Sequence, residues 1–444
     1  MPLLALCLGF FMVIIDVTIV NVSLPIMQSS LGGNVSWLQW VVDGYTLTFA
    51  CLLLSAGSLA DRLGAKKAFQ CGLLLFVLTS IGCALANAFW SLTAFRLLQG
   101  IAGAFLVPTS LALINGLYPD KKARAKAIGI WGSMGGIAAA SGPILGGILT
   151  ASFGWRAVFW VNVPIGLLAI LLTAKYIVHP PHNPSPIQTK FDFKGQITGI
   201  ISIAALSFSL IETGNLGWSS SIVLIGFLIF FITFNAFLWI EYHTKFPMLP
   251  LGLFKSTEFS IAIVIGMIIN FGLYGELFTL PLYFHQMKTY SVLQIGLAIL
   301  PLTGIVTVAS YVSGKVISTE GSKLPMLIGL IIGALGFAAL LITDKNTAYY
   351  WLILPLAAIG FGTAFTMPAA TITAIQVAPE NRAGIASGTF NASRQLGSLL
   401  GVALFGTIIA SSTHFMTGMH ITLIIGSALY FMGSLLAACL KIAV

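Results

Sequence analysis

The chain has 444 residues, of which 58% are hydrophobic and only 7% charged, against roughly 25% charged in an ordinary soluble domain. That balance excludes a water-soluble globular protein and points to a membrane protein. The net charge of +9 does not point to nucleic acid, because the basic residues lie in alternate loops and form no single patch.

With about 20 apolar residues needed per helical crossing, the chain divides into fourteen runs, near 3 to 26, 37 to 60, 68 to 89, 91 to 116, 126 to 151, 157 to 178, 195 to 213, 220 to 241, 259 to 284, 292 to 314, 324 to 343, 348 to 377, 384 to 411 and 420 to 440. The runs are continuous rather than alternating, which favours helices over a barrel. With a cytoplasmic N-terminus, 16 of the 21 Lys and Arg, from Arg62 to Lys441, fall on the inner side. The positive-inside rule therefore predicts that both termini are cytoplasmic. The first run lacks a basic leader and a small-residue cleavage site, so a retained helix is expected. The five cysteines have no ligand spacing; neither disulfide nor metal site is expected. Trp37, Trp40, Trp155, Trp218, Tyr349 and Trp351 near run ends are expected to anchor at the membrane interface.

In the first run, FMVIIDVTIVNVSLP, Asp16 stands about 20 Å along its helix at 1.5 Å per residue, near the bilayer middle. A lone carboxylate there costs several kcal/mol unless it is paired, wetted or able to take a proton. Ser23 shares its face. Asp43 lies near the outer third of the second run. Between runs two and three, GSLADRLGAKK holds Gly57 and Gly64, which permit close approach and a tight turn. Asp61 there can cap a helix or pair with a cation, and Arg62, Lys66 and Lys67 suit an anionic leaflet; a plain basic turn would explain the charge alone. In the fourth run, RLLQGIAGA sets Arg96, Gln99, Gly100 and Gly103 on one helix face. Arg96 either points into protein or water, or snorkels to the outer interface. The fifth run, GIWGSMGGIAAASGPILGG, lets another helix approach closely and bends at Gly142 and Pro143, although ordinary tight packing is enough to explain glycines alone.

The proline-rich stretch HPPHNPSPIQTKFDFKG, residues 179 to 195, reads as a cytoplasmic linker. It leads to two runs, the first with Glu212 at its outer boundary. Shifting the sequence by 260 residues lays GIAGAFLVP (100 to 108) on GFGTAFTMP (360 to 368) and maps run four onto run twelve. The organisation read from this is a six-helix bundle over 1–178, a linker with two extra helices over 179–258, near 195–213 and 220–241, and a second six-helix bundle over 259–444. Parallel repeats mark a transporter whose halves rock about a midplane site. In the ninth run Asn270 and Tyr274 precede Glu276. In the thirteenth, NASRQLGSLLG occupies the register of run five without its Gly-Pro and carries Arg394 instead, with Asn391 and Gln395 beside it.

These motifs carry a family resemblance. GSLADRLGAKK resembles the signature loop of the major facilitator superfamily, and RLLQGIAGA its span-four signature. The glycine–proline order of run five resembles the signature of its antiporters. IDVTIVNVSLP, WLQWVVDGY at 37 to 45 and WRAVFWVNVPIG at 155 to 166 resemble the fourteen-span drug/proton antiporters, and the likeness spans the whole chain. It implies an all-α polytopic membrane protein of the major facilitator fold, two six-helix bundles plus two extra helices. It also implies gating roles for Gly57, Asp61, Arg62, Gly64, Gly142, Pro143 and Gly146, and a part in proton transfer or carboxylate pairing for Arg96. The corresponding loop of the second half, SGKVISTEGSK, has lost most of the pattern.

Three carboxylates, Asp16, Asp43 and Glu276, are expected to line one cavity. Asp16 and Asp43, with Arg96, are the candidates for proton coupling; Glu276, Asn21, Gln99, Asn270 and Tyr274 are those for substrate binding. The expected function is proton-coupled export of lipophilic, cationic compounds across a bacterial cytoplasmic membrane by a monomer surrounded by lipid, with a proton gradient in place of a cofactor. A proton-coupled carrier of a narrow metabolite class, either an uptake symporter or a dedicated exporter, is the second reading. An enzyme is not expected: the six histidines are scattered and no phosphate-binding glycine loop follows a strand.

Overall fold

The structure, a computed structural model, describes residues 1–177, 192–244, 247–379 and 383–440, except for the side chains at 54 and 57–62. The described residues form helices and short turns, with no strand among them. In chain order the helices are α1 (Pro2–Leu31), α2 (Val35–Leu63), α3 (Ala65–Leu85), α4 (Phe89–Leu117), α5 (Lys121–Phe153), α6 (Ala157–Trp160), α7 (Asn162–Tyr176), α8 (Phe193–Leu216), α9 (Ser221–His243), α10 (Thr257–Gln286), α11 (Val292–Ala298), α12 (Leu300–Glu320), α13 (Lys323–Ala339), α14 (Tyr350–Gln376), α15 (Ala383–Ser411) and α16 (Phe415–Ala438). Two crossings are broken helices, α6 with α7 and α11 with α12. Among the described residues thirteen spans are long and apolar enough to cross a bilayer, and α2, 29 residues long, completes the expected fourteen. An even number of crossings leaves both termini on one membrane face, the terminal face; the opposite one is the far face.

The breaks have local causes. Pro164 and Pro301 lack the N–H that would bond the carbonyls of Trp160 and Leu297, so each helix restarts, the second with its proline in the first turn. At the α1–α2 turn, Gly32 and Gly33 have φ of 69° and 127°, values that side-chain-bearing residues rarely adopt. Asn34 then caps α2 by accepting the Trp37 amide at 3.3 Å.

The chief pairings of the first bundle recur in the second, eight crossings later. α1 packs on α5 as α10 packs on α15, α2 on α4 as α12 on α14, and α3 on α4 as α13 on α14. The extra hairpin lies over the seam between bundles: α8 packs on both α2 and α15, while α9 packs on α8 and is largely exposed. Trp155 is not an interfacial anchor; it is 3% exposed and its indole donates to Ser30 at 3.2 Å. Trp218 and Trp351 are exposed.

The bundles meet at the far face and part toward the terminal face. Near the far end, Gln39 Nε2 of α2 donates to the Ala403 carbonyl of α15 at 2.6 Å. Phe278, Leu282 and Val402 of the second bundle enter the apolar core of the first. A Cβ on Gly147 of α5 would lie 3.1 Å from Leu293 Cα and from the Val292 carbonyl, so the backbones there are in near contact. Farther along, Gly136 still meets Thr307, but nothing lies within 4 Å of where a Cβ on Gly129, Gly132 or Gly314 would stand. A cleft between the bundles thus opens on the terminal face.

Candidate functional site

Arg96 of α4 is 1% exposed and points inward. Its Nη1 pairs with Asp16 Oδ2 and donates to Gln99 Oε1 at 2.8 Å, while its Nε donates to the Val41 carbonyl at 2.9 Å. This decides between the two sequence readings of Arg96: it does not snorkel. Gln99, one helical turn on, donates to Asp16 Oδ1 at 3.2 Å and to Ser80 of α3 at 2.8 Å. Asn162 donates to the same Asp16 oxygen at 2.9 Å. Its reach follows from the Pro164 break, since Asn162 opens α7 and turns its amide into the bundle. The Arg96 guanidinium carbon lies 4.5 Å from the centre of the Tyr45 ring, an attractive cation–π arrangement. Five helices thus converge on one carboxylate, which accepts from three side chains. Such saturation is what makes a buried ion pair tolerable.

Asp16, Arg96 and Gln99 stand out in the sequence as candidates; Ser80, Tyr45 and Asn162 do not. Asn162 lies inside WRAVFWVNVPIG, and an amide two residues before a span proline was a usable signal. A serine in an apolar helix carries none.

The other two acids differ sharply from Asp16. Asp43 and Glu276 are both fully buried, and among the described residues none of their four carboxylate oxygens has a hydrogen-bond partner within 3.5 Å. Asp43 lies one turn from Gln39, which bonds α15, and one turn from Leu47, which packs with Leu399 of α15; the α2–α15 seam is therefore its setting. Glu276 lies two residues beyond Tyr274 of α10, a partly exposed residue that packs against the apolar cores of both bundles. The three acids are not gathered into one cluster. Asp16 sits within the first bundle, Asp43 at the seam and Glu276 in the second bundle.

Of the remaining candidates, Asn21 donates to the Val17 carbonyl of its own helix at 2.8 Å. Asn270 donates to Ser398 at 3.2 Å and accepts from Arg394 Nε at 3.4 Å. Glu212 accepts from the Trp40 indole at 3.1 Å, tying α8 to α2. The side chains of Asp61 and Arg62, and the position of Gly57, lie outside those described. Gly64 has φ of 85° and makes the turn from α2 to α3. In α5, a Cβ on Gly142 would strike Thr18 Oγ1 of α1, and one on Gly146 would lie 2.7 Å from the Ile19 carbonyl. Gly296 of α11 abuts the Pro143 carbonyl. The glycine–proline segment is therefore clasped between α1 of its own bundle and α11 of the other.

The model of the Major Facilitator Superfamily matches residues 6–402. The chain is 34% identical over 435 residues to a methylenomycin A resistance protein of Bacillus subtilis (strain 168), covering 98% of this chain and 92% of that one. It is also 34% identical over 411 residues to the multidrug resistance protein Stp of Mycobacterium tuberculosis (strain CDC 1551 / Oshkosh), covering 93% and 76%. Among solved structures, a bacterial homolog of the human lysosomal transporter Spinster, inward-facing and unoccupied, superposes with a TM-score of 0.69 at 18% identity, over 98% of this chain and 97% of that one. At that identity the likeness speaks for the fold alone. With the fourteen crossings and the family match over most of its length, the chain belongs to the Major Facilitator Superfamily and is a multi-pass, cofactor-free secondary transporter rather than an enzyme.

Proposed function

We propose that the protein is a proton-coupled antiporter that exports lipophilic drugs or toxic compounds across a bacterial cytoplasmic membrane, its termini in the cytoplasm. The similarity to resistance proteins supports the export of drugs. The observation that carries proton coupling is the pair of buried, unpartnered carboxylates, Asp43 and Glu276. An ionised carboxylate without donors is costly in such a place, and a proton is the simplest thing to neutralise it.

Asp43 takes the leading part in this mechanism because it stands in the seam that must open for the far face to be reached. With the far face sealed, Asp43 is dry and carries its proton. As α2 and α15 separate, water reaches the acid, and it exchanges protons with the exterior. Asp16 and Arg96 hold the first bundle's charge in place and couple to the exchange when the pair loosens. Glu276 recognises substrate charge when the guest is cationic. The glycines of α5, with Gly57, Asp61, Arg62 and Gly64 at the α2–α3 turn, serve the rocking itself. A carrier of one narrow metabolite class is the alternative, to be chosen if a single compound and no others drives proton flux.

The test uses everted vesicles loaded through an imposed pH gradient, with a pH-sensitive dye and a panel of lipophilic compounds. The unmutated protein is expected to leak protons when a substrate is added. Asp43→Asn should abolish that leak while leaving the protein in the membrane, and an undiminished leak in this variant would remove Asp43 from the mechanism.

A further inference from the structure

The export reading leaves one cation in the membrane unexplained. Arg394 lies in the middle of α15, and at about 100° per residue its surroundings can be assigned by face. Ser393, Gly397 and Gly401 bear on α10, with Ser393 Oγ bonding the Ile263 carbonyl at 3.3 Å. Leu396 and Leu399 pack on α2, and Thr407 donates to Leu210 of α8 at 2.6 Å. The arc left over, away from α8, holds Arg394, Asn391, Ser398 and Val402. Val402 on that arc enters the first bundle's core, so the arc faces across to the other bundle, along the cleft.

Among the described residues the one ion pair is Arg96 with Asp16. No carboxylate among the described residues therefore answers Arg394. Among the described residues its guanidinium bonds two neutral amide oxygens, Asn270 Oδ1 at 3.4 Å and Asn391 Oδ1 at 3.3 Å, both longer than a good charge-assisted bond. Those oxygens are themselves aimed. The Asn270 amide nitrogen is held by Ser398 at 3.2 Å and that of Asn391 donates to the Ser387 carbonyl at 3.0 Å, which turns each carbonyl toward the arginine. A guanidinium has five N–H donors. Two amides fix its orientation and leave its remaining edge, with the Nη2 nitrogen, unmatched. An arginine held in a membrane span without a counter-ion is costly unless water or an anion completes it. The planar fork suits a carboxylate in two-point contact.

We infer that Arg394 is the anchor for an acidic oxygen of the transported compound. The class carried then includes lipophilic carboxylic acids and zwitterions, to whose acidic end Asp43 and Glu276 offer no counter-charge. Asn270 and Asn391 are positioning residues for the guanidinium, and Glu276 meets the cationic end of a zwitterion. This assignment rests on the reading of the protein as an exporter of lipophilic compounds.

The full-length protein in lipid nanodiscs would be titrated with three fluorescent probes: a dansyl-labelled fatty acid, its methyl ester and ethidium. The acid should bind the unmutated protein roughly 10- to 100-fold more tightly than the ester, the range expected of a hydrogen-bonded charge contact. Arg394→Gln should erase that difference and leave the ester and ethidium unchanged, while Arg394→Lys should keep part of it. Equal binding of acid and ester to the unmutated protein would overturn the assignment, as would an acid preference that survives Arg394→Gln. Should that variant fail to fold, the acid–ester comparison on the unmutated protein still decides. Binding in nanodiscs needs no gradient. A failure of proton-driven export with the acid preference intact would therefore sink the export reading alone, and the reverse result would sink this one.

Discussion

Asp16 and Arg96 face each other inside a space where neither is tolerable alone. Each is held by further donors and acceptors, Gln99, Asn162 and the Val41 carbonyl among them. Removing one partner of such a pair typically costs about 3–5 kcal/mol, because the other is left buried and uncompensated. Arg96→Gln is therefore expected to lower the unfolding temperature of the detergent-purified protein markedly. Asp16→Asn with Arg96→Gln together should be less harmful than Arg96→Gln alone, since the double change leaves no stranded charge; thermal unfolding of the three variants measures this. If the single variant were as stable as the parent, the pair would be contributing nothing. Asn162→Leu is expected to disturb Asp16 more than any change at Asn21, which bonds only its own helix. The same proton-leak assay reads out that comparison.

At the scale of elements, α5 is the piece that both bundles grip. Its glycines bring α1 close on one side and α11 on the other, and the space for a side chain at Gly147 is already taken by the Leu293 and Val292 backbones at 3.1 Å. Backbone cannot step aside as a flexible side chain can. Gly147→Val is expected to prevent closure of the far face. A cysteine introduced as Gln39→Cys should then react with a membrane-impermeant maleimide faster in the Gly147→Val background than in the parent. Equal labelling rates would show that α5 and α11 do not set this closure. The extra hairpin is likewise tied unevenly. α8 bonds α2 near both ends, through Gln196 to the Cys51 carbonyl at 2.9 Å and through Ser36 to the Ile211 carbonyl at 3.2 Å. Its hydrogen bond to α15 is near the far face, at Thr407.

For the whole molecule, that uneven tie predicts how the hairpin moves. If the bundles rock as units about the cleft, α8 should travel with the first bundle, sliding against α15. Spin labels on α8 and α2 are expected to keep one distance distribution when a substrate and a pH step are applied, while a label pair on α8 and the terminal-face end of α15 should change. A hairpin fixed instead to the second bundle would reverse the two results. The far-face seal also breaks in this motion, since Gln39 cannot remain bonded to Ala403 when α2 leaves α15.

The sequence by itself determined the class, the number of crossings and the presence of polar groups that demanded an explanation. It could do so because the bilayer imposes a local rule: a crossing helix needs a certain length of apolar residues, and any acid inside it stands out. Arg96 and Gln99 were legible as a pair because one helix turn joins them. Only the tertiary structure decided which acid meets a cation. Asp16 and Arg96 are 80 residues apart, and their meeting depends on how α1 and α4 are rotated and packed, which no local pattern records. For the same reason Asn162 and Ser80 joined the site unannounced, and among the described residues Asp43 and Glu276 were left without donors and Arg394, in the register of a glycine segment in the other half, without a carboxylate to answer it.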